Sequence, residues 1–321
     1  MKFKVDWSSH IGQSHVADCS SCQDYCLGWP LPDVIGLPHP EEERRIGEDD
    51  SAFIVVSDGC STGGETDIGA RIQACRLSKE VRLYSRLSAQ LNPRIILEYG
   101  VNDVWRTATD QCLELLDLTA RDAYATCVSC FANTSGATAH IQGDGAIAIL
   151  DVQNVLTIVK GEWVNTKLVD GKSFNPTFYP VYASRLCRAN GTFQNFLNAY
   201  DQTPNPLVIE TTIFHEGNVK TRVEKRSLEN GIEGVYIELD QNRLENTRFI
   251  ALFSDGIGQV SEVTMLDAIR ECLAFKNTEG SFVKRRMRGA VKKWVKDGHK
   301  LLDDLSCAVL MVASPKTESQ T

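Results

Sequence analysis

The 321-residue sequence predicts a single domain that combines β-strands with α-helices. Two apolar runs rich in β-branched residues each lead into the tripeptide Ser-Asp-Gly, in FIVVSDGCSTGG (53–64) and in FIALFSDGIGQV (249–260). Several other segments place apolar side chains at helical spacing. No linker, repeat or low-complexity stretch divides the chain, so we expect one domain over residues 1–313 and a polar tail over 314–321.

The N-terminal half predicts one strand, one surface segment and two helices besides the first Ser-Asp-Gly strand. Residues 2–9 alternate apolar and polar side chains, as in a half-buried strand. Residues 30–50 are rich in proline and charge, which predicts an exposed loop or insertion. Residues 65–87 begin with a Thr-Asp capping signal, and residues 93–116 begin with proline, so we expect a helix in each.

The C-terminal half predicts strands followed by helices. Residues 123–160 read as short apolar strands, with Gly-Asp-Gly at 143–145 as a turn. Residues 161–247 mix strand and turn patterns whose order the sequence does not determine. Residues 263–275 and 281–298 have helical periodicity.

Charge and cysteine content narrow the class of protein. The chain has 42 acidic and 34 basic residues, a net charge of −8. A broad nucleic-acid surface needs the opposite balance, so we expect no nucleic-acid partner. The N-terminus lacks the apolar core of a signal peptide, and no stretch is long enough to span a bilayer. The 11 cysteines are therefore interpreted as reduced thiols of a cytoplasmic protein without a membrane partner.

Two Cys-x-x-Cys pairs, Cys19/Cys22 and Cys127/Cys130, leave two interpretations open. Four thiolates in a tetrahedral arrangement would form a structural zinc site. The second pair lies in an apolar, strand-like run about a hundred residues after the first. Small buried thiols are the simpler interpretation and the one we favour.

Five aspartates stand where strands end or begin: Asp24, Asp58, Asp144, Asp255 and Asp303. Neighbouring strands of a sheet share their edges, so these side chains could converge in one cleft. Clustered carboxylates repel one another, and a divalent cation removes that repulsion. Oxygen-only ligands favour Mg²⁺ or Mn²⁺ over Zn²⁺. Any single Asp-Gly could instead form only a turn, but the recurrence favours a metal cleft.

The order of these motifs resembles the metal-dependent protein phosphatase 2C family. The motifs are CQD, VVSDG, SGATAHIQGDGAIAIL, LFSDGIGQV and DDLSCAVL, which together reach from residue 12 to 310. More narrowly, IGQSHVADCSSCQD and SDGCSTGGETDIGARIQ resemble the divergent bacterial branch of that family. Residues 161–247 contribute little to the resemblance.

The resemblance implies an α+β fold: a four-layer αββα sandwich with two central antiparallel sheets flanked by helices. It implies that Asp58 bridges two Mn²⁺ or Mg²⁺ ions and that the Gly59 carbonyl binds one of them. Asp255 and Asp303 would bind the other ion, and Asp24 would act mainly through bound water. Asp144 matches a ligand of a third, weaker ion. The catalytic residues are then Asp58 and Asp24, and a water bridging the two ions attacks the phosphate.

Three positions depart from the family pattern. Cys19 stands where the wider family has a phosphate-binding arginine, and Arg71 or Arg44 are the candidates to replace it. Cys60 stands where the family often has a histidine proposed as general acid. Gln259 stands where a further third-metal aspartate is expected.

Two other features favour structural roles. His15 and His140 are interpreted as structural histidines. The segment from Lys284 to Lys300 contains eight basic residues and one acid, with apolar residues at helical spacing. We interpret it as an amphipathic helix with a solvated basic face; the alternative is a docking surface for an acidic or phosphorylated partner.

The function that the sequence favours is hydrolysis of phosphoserine and phosphothreonine in proteins. Its substrate would be a phosphoprotein, and its counterpart a cognate serine/threonine kinase. One alternative is a pseudophosphatase, in which the same fold serves as a regulatory or binding module. The absence of the phosphate-binding arginine at Cys19 favours this alternative. A second is a metal-dependent hydrolase of small phosphoesters. No G-x-S-x-G or G-x-x-x-x-G-K-[ST] motif indicates a different mechanism.

Overall fold

The computed structural model describes residues 1–17, 21–29, 50–60, 66–87, 91–104, 109–163, 207–226 and 234–313. The strands in these ranges are β1 (Lys2–His10), β2 (Tyr25–Trp29), β3 (Ser51–Gly59), β4 (Ala125–Asn133), β5 (Gly136–Gln142), β6 (Gly145–Asp151), β7 (Leu156–Trp163), β8 (Leu207–His215), β9 (Asn218–Arg226), β10 (Val235–Asp240), β11 (Thr247–Phe253) and β12 (Leu305–Ala313). The helices are α1 (Gln13–Ala17), α2 (Thr66–Leu87), α3 (Pro93–Asp103), α4 (Thr109–Leu115), α5 (Gln241–Glu245), α6 (Met265–Leu273) and α7 (Phe282–Lys296).

Seven strands form one sheet, in the order β1-β12-β11-β6-β7-β8-β9. All of its neighbouring strands are antiparallel. The two faces of β11 are both apolar and bury against different layers. Phe249, Ala251 and Phe253 pack with α6 and α7, whereas Ile250 and Leu252 pack with the second sheet. The alternation follows from the two-residue period of a strand.

The second sheet has five strands, in the order β10-β5-β4-β3-β2. Its strand β3 is buried through most of its length. Leu77 of α2 and Ile96 of α3 belong to the same core cluster as the β3 residues Phe53 and Val55. The layers are therefore two helices, the five-stranded sheet, the seven-stranded sheet and two further helices. This arrangement confirms the predicted αββα sandwich.

The predicted strand over 2–9, the strands over 123–160 and the helices over 65–87, 263–275 and 281–298 are confirmed within a few residues. The segment 93–116, where a helix was expected, contains α3 and α4, and residues 105–108 between them lie outside the described residues.

α3 ends at Asp103, and the Val104 carbonyl that would continue it accepts a hydrogen bond of 3.0 Å from the Thr109 hydroxyl. α4 begins at Thr109. This hydrogen bond connects the end of α3 to the start of α4.

The undetermined region 161–247 contains the end of β7 together with β8, β9, β10 and α5. Of the predicted loop 30–50, only Asp50 lies among the described residues, and the tail 314–321 lies outside them. No helix in the described ranges is long and apolar enough to cross a membrane.

Candidate metal centre

Asp24 and Asp58 meet at one end of the five-stranded sheet. Asp24 immediately precedes β2, and Asp58 is the penultimate residue of β3. These strands are antiparallel, and Tyr25 pairs with Ser57. The next pair in that register brings the two aspartates side by side, as the sequence pattern predicted.

Asp255 and Asp303 come from the seven-stranded sheet. Asp255 follows β11 and opens a 3-10 turn, while Asp303 precedes β12, the antiparallel neighbour of β11. Gly256 allows the backbone after Asp255 to lie close to the backbone of Asp304, because a Cβ at that position would overlap the Asp304 carbonyl. This glycine therefore serves close backbone packing.

The four carboxylates interact electrostatically across the interface of the two sheets. Burial raises the pKa of Asp58 well above its usual range, and the charges of Asp24, Asp255 and Asp303 raise it further. Burial likewise raises the pKa of Asp24 to about 8, with Asp255 and Asp304 adding to the effect. Burial and the charge of Asp303 raise the pKa of Asp255. Each carboxylate therefore favours a proton or a cation beside it.

Gln259 lies between two of these acids. Its Nε2 donates hydrogen bonds of 2.9 Å to Asp255 Oδ2 and of 3.0 Å to Asp303 Oδ2. One amide group thus holds two carboxylates at a common point and partly offsets their repulsion. The sequence pattern identified Gln259 only as a departure from the family and did not predict this bridge.

Asp304 is a further acid at the site, and sequence reasoning assigned it no role. It is only 2% exposed. Its carboxylate accepts hydrogen bonds from the backbone N–H groups of Gly12 (2.7 Å) and Gln23 (2.6 Å), and it lies 2.9 Å from His15 Nδ1. Asp304 therefore ties the N-terminal segment, including the residue next to Asp24, to the entry of β12. The only sequence signal was the Asp-Asp pair.

Asp144 lies in the turn between β5 and β6 and lines a cleft of about 190 Å³. The same cleft is lined by Asp255, Gln259, Lys160 and Glu162. Asp144 thus faces the space that Asp255 also borders. Lys160, which sequence analysis did not single out, brings a cation to this cleft and pairs with Glu162 at 2.6 Å.

The donor set fits a hard divalent cation. Both oxygens of Asp24 are buried, and neither has a hydrogen-bond partner in the described part of the chain, although the Asp58 and Ser254 side chains lie near them. A buried carboxylate without a donor is costly unless a cation compensates it. Gly59, the expected carbonyl ligand, is buried directly after Asp58.

Within the described ranges, no three His, Cys, Asp or Glu side chains are already arranged around a common point that would hold an ion.

Several other sequence expectations can be placed. Cys127 and Cys130 are both buried in β4. Three residues apart on a strand, they point to opposite faces and cannot share an ion. His140 is fully buried with its ring centroid 4.3 Å from that of Tyr236, which fits a structural role. Cys19 and Arg44 lie outside the described residues.

Arg71, a candidate for phosphate binding, lies over the ring of Tyr25 in β2. Its guanidinium is 5.8 Å from the ring centroid of Tyr25, the residue after Asp24. Its side chain is 61% exposed, and its contact with Asp67 is long, at 3.9 Å. The cation is therefore accessible to an anion that enters from solvent.

A known protein family matches most of the chain. The family model described as Protein phosphatase 2C matches residues 11–296. No curated protein sequence matches significantly.

Solved structures match over almost the whole chain. A bacterial serine phosphatase is 12% identical, with 97% of this chain and 98% of that chain covered and a TM-score of 0.51. The serine/threonine phosphatase Stp1 from Staphylococcus aureus is 11% identical, with 98% and 96% covered and a TM-score of 0.52. A C. elegans sex determining protein is 12% identical, with 99% and 66% covered and a TM-score of 0.54. At these identities, the likeness shows a common fold.

Proposed function

The chain belongs to the protein phosphatase 2C family, and from that premise we propose that it hydrolyses phosphoserine and phosphothreonine in proteins with two bound Mn²⁺ or Mg²⁺ ions. The observation that supports this most is the electrostatic interaction of Asp58 with Asp24, Asp255 and Asp303, four acids that come from two sheets. Acids that raise one another's pKa are typical of functional sites, where a bound cation can neutralise their charges.

Different residues would hold the ions and orient the water. Asp58 lies at the centre of the cluster and would contact both ions, with the Gly59 carbonyl beside it. Asp255 and Asp303 would hold the second ion from the other sheet, and Asp24 would orient water. Bound divalent ions supply an acidified water and neutralise the phosphoryl oxygens. A third, weaker ion would lie beside Asp144.

The phosphate itself needs a cation from the protein. Arg71 is accessible beside Tyr25, and a guanidinium can bind a phosphate through two hydrogen bonds. Phosphoprotein substrates further imply a serine/threonine kinase that produces them. Nine cysteines in the described ranges form no disulfide, which suits a reducing compartment, and we propose the cytoplasm.

The test is turnover of a phosphoserine peptide in Mn²⁺ and after exhaustive chelation. We expect activity only with the ion, and Asp58→Asn should lower turnover by at least about a hundredfold. Asp144→Asn should weaken the first two ions less than Asp58→Asn does, as measured by titration calorimetry. Full activity after chelation contradicts the proposal.

The same assay distinguishes the pseudophosphatase. That alternative is favoured by the Gln259 bridge, because the Gln259 amide already donates hydrogen bonds to one carboxylate oxygen of Asp255 and one of Asp303, the proposed metal ligands. A pseudophosphatase would bind Mn²⁺ weakly or not at all and would hydrolyse neither phosphopeptides nor aryl phosphates. Hydrolysis of small phosphoesters alone would indicate the second alternative.

A further inference from the structure

Helix α7 displays four basic side chains at intervals of four residues: Lys284, Arg288, Lys292 and Lys296. We call these four residues the basic stripe. All four are exposed. Side chains four apart are neighbours on a helix surface, so the stripe forms one continuous band. At 1.5 Å per residue, its Cα atoms extend over about 18 Å.

The other bases of α7 have partners within the fold. Arg285 donates to Asn277 Oδ1 at 2.6 Å. Arg286 pairs with Glu271, and Lys293 pairs with the same carboxylate at 2.5 Å. In the part of the chain that the structure describes, by contrast, none of the stripe residues has a carboxylate within 4.0 Å, the limit for an ion pair.

This lack of partners is costly to the helix, because like charges four residues apart repel each other. The chain has 42 acidic residues, yet none in the described part of the fold forms an ion pair with the stripe. An external anion would relieve the three successive repulsive pairs.

One residue of the stripe, Arg288, can be placed relative to the Asp304 network. The Val283 backbone N–H donates to Asp6 Oδ2 at 2.6 Å, which fixes α7 against β1. Burial lowers the pKa of His10 at the end of β1; the charge of Arg288 lowers it further, and that of Asp304 raises it. His10 thus lies within electrostatic range of both the stripe and the site network.

We propose that the basic stripe binds an acidic segment of the phosphoprotein substrate while the phosphate occupies the metal cleft. This inference rests on the proposed function and adds a substrate preference to it. An extended peptide advances about 3.3 Å per residue, so about five or six residues would cover the stripe. Val295, which is 54% exposed and three residues from Lys292, offers an apolar contact beside the charges.

The charge distribution favours a short acidic peptide over a nucleic acid or an anionic membrane. Charges are screened over about 8 Å at physiological ionic strength. A segment confined to the stripe interacts with the four cations, whereas a larger polyanion also approaches the rest of a protein of net charge −8. Duplex DNA and anionic vesicles are therefore comparison ligands in the test.

The first measurement is binding, which does not depend on catalysis. The probe is a fluorescent, unphosphorylated peptide rich in Asp and Glu, followed by anisotropy. We expect Lys284→Glu combined with Lys292→Glu to weaken binding by about tenfold or more. The matched control combines Lys79→Glu with Lys220→Glu, which makes the same change in net charge at two other exposed lysines. It should stay within about twofold of the unmodified protein.

The second measurement is turnover of two phosphoserine peptides that differ only in flanking residues. The stripe variant should lose kcat/KM on the acidic-flanked peptide, mainly through KM, and should keep it on the neutral peptide and on an aryl phosphate. Equal losses in the stripe and control variants, or no loss in either, would overturn the proposal. Tighter binding of duplex DNA or anionic vesicles than of the peptide would also overturn it. If the protein hydrolyses nothing but the stripe variant alone loses peptide binding, the docking surface is supported and the phosphatase proposal fails.

Discussion

His15 Nδ1 lies 2.9 Å from Oδ2 of the buried Asp304 carboxylate. Asp304 also accepts hydrogen bonds from the Gly12 and Gln23 backbone N–H groups. One side chain at the start of β12 thus organises the segment that precedes β2. The position of Asp24, one residue after Gln23, depends on this connection between the two ends of the chain.

Asp304→Ala should therefore destabilise the protein even without metal. Two backbone donors would lose their acceptor, and a buried unsatisfied group costs about 1–3 kcal/mol. Urea unfolding in chelator measures this free energy. Asp297→Ala is the control, because Asp297 is exposed beyond the end of α7. Equal midpoints for the two variants would contradict the assigned role of Asp304.

Asp24 predicts how the stability of the metal-free protein depends on pH. Its pKa is raised from 3.8 to about 8, chiefly by burial. Between these values, the folded protein holds a proton that the unfolded chain releases. The resulting stabilisation is complete below the unfolded pKa and is lost as the pH rises through about 8.

We expect the melting temperature of the chelated protein to fall between about pH 6 and pH 9. Asp24→Asn should flatten the fall, whereas Asp117→Asn, at an exposed turn position, should not. Saturating Mn²⁺ should raise the melting temperature most at the higher pH, because the ion binds the ionised carboxylates. A melting temperature that rises over this pH range in chelator would contradict the prediction.

The position of Gln259 between Asp255 and Asp303 implies that metal binding and stability are coupled. Gln259→Glu keeps the shape of the side chain and replaces the donor between Asp255 and Asp303 with a third carboxylate. The chelated protein should become less stable through repulsion, and the added oxygen should increase the stabilisation by Mn²⁺. The difference in melting temperature between chelator and Mn²⁺ should therefore widen.

Gln241→Glu is the matched control for this variant. Gln241 Nε2 donates to Glu245 Oε1 at 2.9 Å on the exposed face of α5, so the substitution also places two acids together, but away from the cleft. An equal response of the two variants to Mn²⁺ would show that Gln259 does not border the metal centre.

Much of this arrangement follows from local sequence patterns. Strand periodicity and Asp-Gly turns depend on neighbouring residues, so the positions of Asp58, Asp255 and Asp144 at strand ends could be predicted. The Gln259 bridge and the Asp304 network could not, because they join side chains to residues far away in the sequence.

Among the described residues, Arg71 and Lys160 are our two candidates to bind substrate phosphate in place of the missing arginine; Arg44 lies outside these residues. Lys160 already pairs with Glu162 at 2.6 Å, whereas Arg71 is 3.9 Å from Asp67 and more exposed. We therefore expect Arg71→Ala to raise the KM for a phosphopeptide by about tenfold or more, and Lys160→Ala to raise it less. Inhibition by inorganic phosphate should weaken in parallel. The reverse order would assign the phosphate to Lys160.

With Cys60 in place of a histidine, we expect the protein to prefer substrates with good leaving groups. It follows Gly59 at the end of β3, and its backbone N–H donates to the Tyr124 carbonyl at 3.0 Å. A serine alkoxide leaves poorly without a proton donor, whereas an aryl phosphate does not need one. General acid catalysis contributes about a hundredfold to ten-thousandfold, and a thiol is a weak donor.

We therefore expect aryl phosphates to be turned over much faster than phosphoserine peptides, and Cys60→His to narrow that difference. Both substrates should be compared across pH for the two proteins. If the unmodified protein cleaves the phosphoserine peptide as fast as the aryl phosphate, another group supplies the proton. His15 is then the first candidate, because its Nε2 lies 3.9 Å from Asp303 Oδ1 in the cleft. In that case, His15→Gln should slow only the phosphoserine reaction, and His215→Gln, at an exposed position at the end of β8, should slow neither.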